Sequence, residues 1–400
     1  MRILVHDYGG YAFPLDLSRQ LARTGHRVHH LFFRDLSTAR GNIAPRSADP
    51  PTLRLLEVRA HPYDKYRFWT KPFHDRAYGR RVGDIIRRVR PDVVLSADTP
   101  LDAQAVLSRA CKSCAVPFVY WLQDIISIGI HTVVGARAPV LGPMLGRWYR
   151  HLEQRLLRTS ASVIAATPDF LPFLAKCGVP MERSHCVENW CPLADVAPLP
   201  ADNAWARQNG LAGKQCVLYS GTLGLKHNPR ILVDLSLALA HRRDAVVVIV
   251  AEGPGAVWLA NEVEQRQIRN LMVLPLQPYE NLSEVLASAS VLLAISGPEA
   301  SRFCFPSKVM TYLCAGRPVL AAAPVGSYIC RVLKESGAGL TVEPDDVLEL
   351  ARHAGYLLDD RRAREDMAEN GLAYARMRFD IEAIASRFLA ILVRHARPAP

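Results

Sequence analysis

Three stretches of the sequence combine glycines, which let a backbone approach a ligand, with residues that hold anions or hydroxyls. In Leu218-Tyr-Ser-Gly-Thr-Leu-Gly-Leu-Lys-His-Asn-Pro-Arg230, Gly221 and Gly224 flank Thr222, and Lys226 can set a point charge on a phosphate. The spacing is not that of a P-loop, which needs a glycine, four residues and then Gly-Lys-Ser/Thr. A solvated surface lysine explains Lys226 equally well. In Glu299-Ala-Ser-Arg-Phe-Cys-Phe-Pro-Ser-Lys308 a loop runs into a helix. Ser307 reads as its N-cap, Gly316 as its stop and Pro318 as the start of the next strand. A diphosphate at that helix start would gain the terminal amides, the Ser307 hydroxyl and Lys308, while Glu299 could accept sugar hydroxyls. A capped helix with two surface charges is the plainer alternative. Near the N-terminus, Gly9-Gly10 follows a first strand. Backbone N–H groups there can hold an anion or a hydroxyl, or the pair can simply make a turn. The pattern is not G-x-G-x-x-G, which argues against nicotinamide or flavin binding.

These stretches need elements to position them. Arg2 to Val5 reads as a strand, Pro14 to Thr24 as a helix whose apolar residues recur every four positions, and Arg27 to Phe33 as a strand. Short apolar runs follow at Asp92 to Ser96, Phe118 to Leu122 and Ser162 to Ala166, each fit for burial on both faces of a parallel sheet. Asp195 to Asn203, rich in Pro, Ala and Asp, reads as a linker. A second strand series lies at Cys216 to Ser220, Ala245 to Ala251, Leu271 to Leu274, Ser290 to Ile295 and Pro318 to Ala322. The expected fold class is therefore α/β, with two doubly wound, Rossmann-like domains facing a cleft.

Composition narrows the function classes. The 400 residues are 50% hydrophobic and 22% charged, which is globular composition with material for two cores. Apolar runs are strand-sized, short of the ~18 residues of a spanning helix, and the N-terminus has no signal-peptide pattern, so a cytoplasmic location is expected. Nine cysteines, odd in number and irregular in spacing, do not form a secreted disulfide framework. Cys111-x-x-Cys114 lacks the second close pair a zinc site needs and reads as ordinary thiols. The net charge of +11 is uneven: residues 1–200 hold 27 Lys and Arg against 17 Asp and Glu, whereas residues 201–400 hold 22 against 21. An anionic partner for the first half follows. Tyr63 to Phe73 mixes basic and aromatic residues, Arg80, Arg81, Arg87, Arg88 and Arg90 come next, and Val133 to Arg150 is apolar with Arg137, Arg147 and Arg150. This suits peripheral membrane contact, or core helices with a solvated basic face. No nucleic-acid motif accompanies the charge.

The order of these motifs resembles the GT-B glycosyltransferases of the large retaining family 4, over essentially the whole chain. The carrying residues are the first strand with its glycine turn, Glu188-Asn189-Trp190, Ser220-Gly-Thr-Leu-Gly with Lys226, Glu252-Gly253-Pro254, Phe305-Pro-Ser-Lys308 with Ala315-Gly-Arg-Pro-Val319, and the closing segment from Phe379. The nearest flavour is that of bacterial exopolysaccharide and O-antigen assembly. The resemblance implies an N-terminal acceptor domain, residues 1–195, rejoined by a crossing helix at 379–400, and a nucleotide-sugar domain, residues 196–378. It implies a nucleotide diphosphate sugar bound by Gly221, Thr222, Gly224, Lys226, Gly253, Glu299, Ser307, Lys308 and Thr311. The loop Leu274 to Tyr279, with Leu276 and Gln277, would meet the base. Lys226 and Lys308 would stabilise the departing nucleotide, and Glu299 would hold donor hydroxyls. Gly9, Gly10, Asp124 and His131 would meet the acceptor. Asp124 would orient its hydroxyl or take its proton, or else cap the next segment. No D-x-D occurs, so neither metal nor cofactor is expected.

Two departures stand out. Family members often carry an arginine about where Thr222 stands. Counted back from Gly316, the family's paired glutamates fall on Thr311 and Phe303. The resemblance therefore leaves two rivals to a transferase acting on a lipid-linked saccharide with retention. One is a sugar-nucleotide epimerase of the same fold, the other a nucleotide-sugar-binding subunit without turnover.

Overall fold

The computed structural model describes residues 1–35, 43–59, 70–97, 99–137, 142–224, 228–298 and 303–397, with the backbone alone at 132–137. The chain divides into two compact units, Met1–Asn189 with Ile381–Pro400, and Trp190–Asp380. The division falls before the Pro-rich stretch, and side-chain chemistry explains why. Gln123 and Asn189 exchange two amide hydrogen bonds, Nε2 to Oδ1 at 3.1 Å and Nδ2 to Oε1 at 2.7 Å, which hold Asn189 to unit 1. Cys191 and Val196 are buried in the core of unit 2.

Unit 1 runs β1 (Arg2–Asp7), α1 (Ala12–Arg23), β2 (Arg27–Phe33), β3 (Leu53–Val58), α2 (Lys71–Val89), β4 (Val93–Ala97), α3 (Leu101–Ser113), β5 (Phe118–Leu122), α4 (Ile126–Arg137), α5 (Gly142–Thr159), β6 (Ser162–Ala165), α6 (Leu171–Lys176) and β7 (Ser184–Cys186). Its sheet is parallel, in the order β3-β2-β1-β4-β5-β6-β7. Central strands are apolar at most positions because helices cover both faces. The segment after residue 380 returns here as a helix over Ile381–His395, later α15. Its Phe388 meets Trp121 edge-on at 4.9 Å between ring centroids, and Phe13 of α1 meets the same indole at 5.7 Å. Such pairs add about 0.5–1.5 kcal/mol each beyond area burial.

Unit 2 runs α7 (Ala204–Gln208), β8 (Gln215–Thr222), α8 (Arg230–Ala238), β9 (Ala245–Glu252), α9 (Pro254–Arg266), β10 (Leu271–Leu274), α10 (Leu282–Ala287), β11 (Val291–Ile295), α11 (Ser307–Cys314), β12 (Val319–Ala322), α12 (Tyr328–Ser336), β13 (Gly339–Val342), α13 (Val347–Asp359) and α14 (Arg361–Arg378), before α15 (Ile381–His395) closes unit 1. Its parallel sheet has the order β10-β9-β8-β11-β12-β13. Arg317, between α11 and β12, donates to the carbonyls of Ala287, Ala289, Gly316 and Leu199, so it fixes the end of α10 and the Pro-rich stretch together.

Three strands escape the sequence pattern: β3, β7 and β13. All are sheet edges with part-exposed residues, so none has the continuous apolar run that marks the buried strands. Cys111 is buried, Cys114 half-buried, and both are free thiols.

Candidate active site

Each sheet has one place where the strand order reverses, between β1 and β4 in unit 1 and between β8 and β11 in unit 2. In parallel α/β sheets, ligands bind beyond the carboxyl ends of the strands at that point.

In unit 2 this point gathers several of the expected residues. β8 ends at Gly221 and Thr222, and β9 at Glu252. Leu223 N–H donates to the Glu252 carbonyl at 2.8 Å and Gly255 N–H to the Leu223 carbonyl at 2.9 Å, which ties the Gly253 turn to the β8 turn. The Thr222 hydroxyl reaches Glu252 Oε1 at 3.4 Å. Lys308, in the first turn of α11, crosses to β8: its Nζ donates to the Thr222 carbonyl at 3.3 Å and lies 5.1 Å from the centre of the Tyr219 ring. Gly221 has a φ of +122°, and a Cβ there would lie 2.7 Å from Lys308 Cε. Glycine at 221 is therefore favoured by its conformation, and a side chain there would push the end of Lys308 aside. Two tyrosines hold this arrangement from below. Tyr219 Oη donates to the Thr222 carbonyl at 2.8 Å. Tyr312 Oη accepts from Ser220 N–H at 2.9 Å and donates to the Ser220 carbonyl at 3.2 Å. Burial raises both phenols well above their usual range, so both stay neutral donors.

One expectation for unit 2 is corrected. Ser307 is the first helical residue and not the N-cap; Pro306 holds that position and offers no side-chain cap. Ser307 N–H donates to the Phe305 carbonyl and Val309 N–H to the Pro306 carbonyl, so the helix start uses part of its own amides. The Thr311 hydroxyl turns back to the Ser307 carbonyl at 3.5 Å. The Gln277 amide is spent on Trp205 Nε1–H at 3.1 Å and the Pro275 carbonyl at 2.8 Å, with Leu276 half-buried beside it. Phe303 is buried. Gly224 is half-buried at the end of the described turn. Lys226 and Glu299 lie outside the described residues.

Unit 1 fills its own point differently. The Asp7 carboxylate, at the end of β1, accepts from Gly9 N–H at 3.0 Å and from Tyr11 N–H. The glycine turn thus carries an internal anion. The Gly9 amide, read from sequence as able to hold an anion or a hydroxyl or simply to make a turn, donates to Asp7, and Gly10 has the left-handed φ of +66° that makes the turn. Beneath it lies a buried polar chain. Thr99 spends its proton on the Ala97 carbonyl and Ser96 on Gln104 Oε1, so both hydroxyls can only accept from His6 Nδ1. His6 Nε2 must then accept from Tyr78 Oη at 2.9 Å. Burial pushes the His6 pKa down to about 3, which keeps the ring neutral in this one tautomer.

Asp124 is exposed just beyond β5, on the same carboxyl edge as Gly9 with β4 between them. The first amides of α4 are capped by Glu153 of α5, whose carboxylate accepts from Ile126 N–H at 3.0 Å, Ser127 N–H at 3.2 Å and the Ser127 hydroxyl. Glu153 has no exposed surface, and burial raises its pKa to about 7. His131, on α4, lies against Gly146 of α5, where a Cβ would come 3.1 Å from the ring. Sequence reasoning missed Asp7, Glu153, Tyr219 and Tyr312. Only Asp7 carried a local signal, an aspartate two and four residues ahead of the amides it accepts from.

Two parallel α/β units, each with a ligand point at its strand reversal, define the GT-B class. Residues 9–190 match the family model described as glycosyl transferase 4-like domain, and residues 202–373 match the one described as glycosyl transferases group 1. The Escherichia coli protein WcaI, named as a glycosyl transferase of colanic acid biosynthesis, is 26% identical over 265 residues; the match covers 65% of this chain and 65% of that relative, short of two thirds of its length. Among solved structures, Anabaena HepE in complex with UDP and glucose aligns with a TM-score of 0.71 at 17% identity, over 98% of this chain and 100% of that one. Sucrose-phosphate synthase of Thermosynechococcus elongatus aligns with a TM-score of 0.74 at 16% identity, over 98% of both chains. At such identity the structural likeness is one of fold. The chain therefore carries a glycosyl transferase 4-like domain and a glycosyl transferases group 1 domain on a GT-B fold, and it resembles a relative named for colanic acid biosynthesis.

Proposed function

We propose that this protein moves a sugar from a nucleotide diphosphate sugar to an acceptor hydroxyl on a lipid-linked saccharide, with retention of configuration, at the cytoplasmic face of a membrane. The observation that carries the reading is the Lys308 ammonium held at the mouth of β8 against Gly221 and Thr222. A diphosphate over that turn meets a fixed cation, and the negative charge that grows on the departing nucleotide strengthens the contact. Lys226 is the second cation of this reading, Ser307 a hydroxyl donor, and Glu299 the holder of donor hydroxyls. Asp124 orients the acceptor hydroxyl or takes its proton as the new C–O bond forms and the bond to the diphosphate breaks. His131 and the Gly9-Gly10 turn complete the acceptor side. With Asp7 already in that turn, a neutral hydroxyl suits it better than a second anion. The reading requires neither metal nor cofactor. It is supported by the colanic acid role in the name of WcaI and by the UDP and glucose bound in HepE.

The test is a panel of nucleotide sugars, scored for nucleoside diphosphate release with and without bacterial membrane lipid extract. The expected result is release that needs the extract and falls at least a hundredfold in Lys308→Ala. Binding of nucleotide without release by any donor would overturn turnover in favour of a binding subunit. Conversion of the donor sugar without acceptor would favour the epimerase.

A further inference from the structure

We propose that the outer face of α5, with the adjoining start of α2, is a docking surface for an anionic lipid leaflet. The inner face of α5 is buried through Gly142, Gly146, Tyr149, Leu156 and Leu157, and its one acidic residue, Glu153, is buried with them. The outer face presents Met144, 68% exposed, and Trp148, 56% exposed, four residues apart on one stripe. Arg147, Arg150, His151, Arg155 and Arg158 are exposed around them. The exposed part of this helix therefore has cations and large apolar groups with no acid to balance them. Phe73, 71% exposed, adds a third apolar group from α2. A bridge brings the two helices together: Asp102 of α3, itself buried, accepts from Arg76 Nε at 2.9 Å and from Tyr149 Oη at 2.7 Å. Arg76 is one turn from Phe73, and Tyr149 is next to Trp148.

Single exposed apolar residues are ordinary. In unit 2 Val257, Val325, Leu348 and Met377 are such cases, spread over α9, a loop, α13 and α14. The unit 1 group differs by its shared stripe and by its charge. Indole and thioether groups gain by entering the headgroup layer, and arginines bind lipid phosphates with paired N–H donors. No described helix is long and apolar enough to cross a membrane, and the proposed contact is with the leaflet surface. The inference gives the membrane part of the proposed function a location. Its assay contains neither donor nor acceptor, so its failure would leave the transferase reading standing.

The full chain is sedimented with vesicles of phosphatidylcholine alone or mixed with phosphatidylglycerol. At least tenfold stronger partitioning to the mixed vesicles is expected. Each arginine near an anionic surface contributes about 1 kcal/mol, so Arg147→Glu/Arg150→Glu/Arg155→Glu should weaken it about a hundredfold or more. Trp148→Ala should remove most of the binding that survives high salt. Arg361→Glu/Arg362→Glu, on the exposed face of α14, should change binding less than threefold. Circular dichroism confirms that each variant is folded. Equal binding to both vesicles, binding to neither, or equal loss from the α14 variant would overturn the proposal. So would a concentration-dependent dimer abolished by Trp148→Ala, which would assign the face to a second copy of the chain.

Discussion

The turns after β1 and after β8 occupy equivalent places in their sheets, each at the reversal of strand order and each built around glycine. Their electrostatics are opposite. The β1 turn spends amides of Gly9 and Tyr11 on its own Asp7. The β8 turn receives the ammonium of Lys308 from α11. The fold therefore sets equivalent places in the two sheets, while the side chains brought to each differ: Asp7 on its own turn's amides, Lys308 with Glu252 beside Thr222. A turn that already holds an anion suits a hydroxyl; a turn that holds a cation suits a diphosphate.

Lys308→Ala gives the sharpest break of that comparison. Removing a group that stabilises developing charge costs about a hundred- to a thousandfold in rate, so kcat/KM should fall by that order. Nucleoside diphosphate affinity, measured by calorimetry, should fall with it. If affinity and turnover both survive, the cation at β8 is not what holds the donor, and the contrast between the two turns loses its functional meaning.

Acid should separate the units next. His6 and His30 are fully buried in unit 1, and burial lowers both pKa values to about 3. A depressed folded pKa supplies stability above the unfolded value of 6.5 and loses it as pH falls, at up to about 1.4 kcal/mol per pH unit for each ring. Glu153 acts with the opposite sign. Its folded pKa, raised to about 7, makes it stabilising as pH falls from about 7 towards 4.5. The histidines outweigh the carboxyl, since His26, His29, His185 and His395 of unit 1 are lowered too and act with the sign of His6 and His30, so unit 1 loses stability as pH falls. Hydrogen exchange at about pH 7 and about pH 5.5, corrected for intrinsic rates, should show residues 1–189 losing protection before residues 190–380. Earlier opening of the second unit would contradict the assignment of acid sensitivity to these rings.

Most of the architecture was legible because buried parallel strands carry their own signature. Val93–Ala97 and Phe118–Leu122 are apolar at nearly every position since both faces are covered. Leu53–Val58 was not legible, because this edge strand is interrupted by exposed Arg54 and Glu57 and has no continuous apolar run. At the site, Gly221 and Lys308 could be picked out by type. That they touch could not, since 87 positions separate them and only the β8–β11 neighbourhood brings α11 back. The capping of α4 by Glu153 is long-range in the same way, 27 positions on from Ile126, so the sequence around α4 does not show it.

Gly221→Ala asks whether the path of Lys308 depends on the missing side chain. Its φ of +122° is strained for any residue with a Cβ, at about 1–3 kcal/mol. The added carbon would also displace Lys308 Cε. The expected result is a tenfold or greater loss of nucleotide affinity, accompanied by a lower melting temperature. A fall in melting temperature with unchanged affinity would mean that the lysine reaches its ligand by another route.

Asp7→Asn is the smallest change and addresses the other turn. Asparagine can still accept one of the two amide bonds, but the charge is lost and so is the second bond, because the two amides use different carboxylate oxygens and the amide nitrogen cannot accept. A hydrogen bond to a charged group contributes about 1.5–3 kcal/mol, and the neutral replacement retains part of it, so a cost of about 1–2 kcal/mol is expected. Chemical denaturation of unit 1, followed by hydrogen exchange at Gly9 and Tyr11, measures it. Nucleotide affinity should stay within twofold, because the β8 turn is untouched. If the first turn admits anions only when its own carboxylate is removed, inorganic phosphate should protect Gly9 and Tyr11 in the variant and not in the native protein. Equal protection in both would show that Asp7 does not exclude anions there, and the charge contrast between the two turns would reduce to a contrast of sequence.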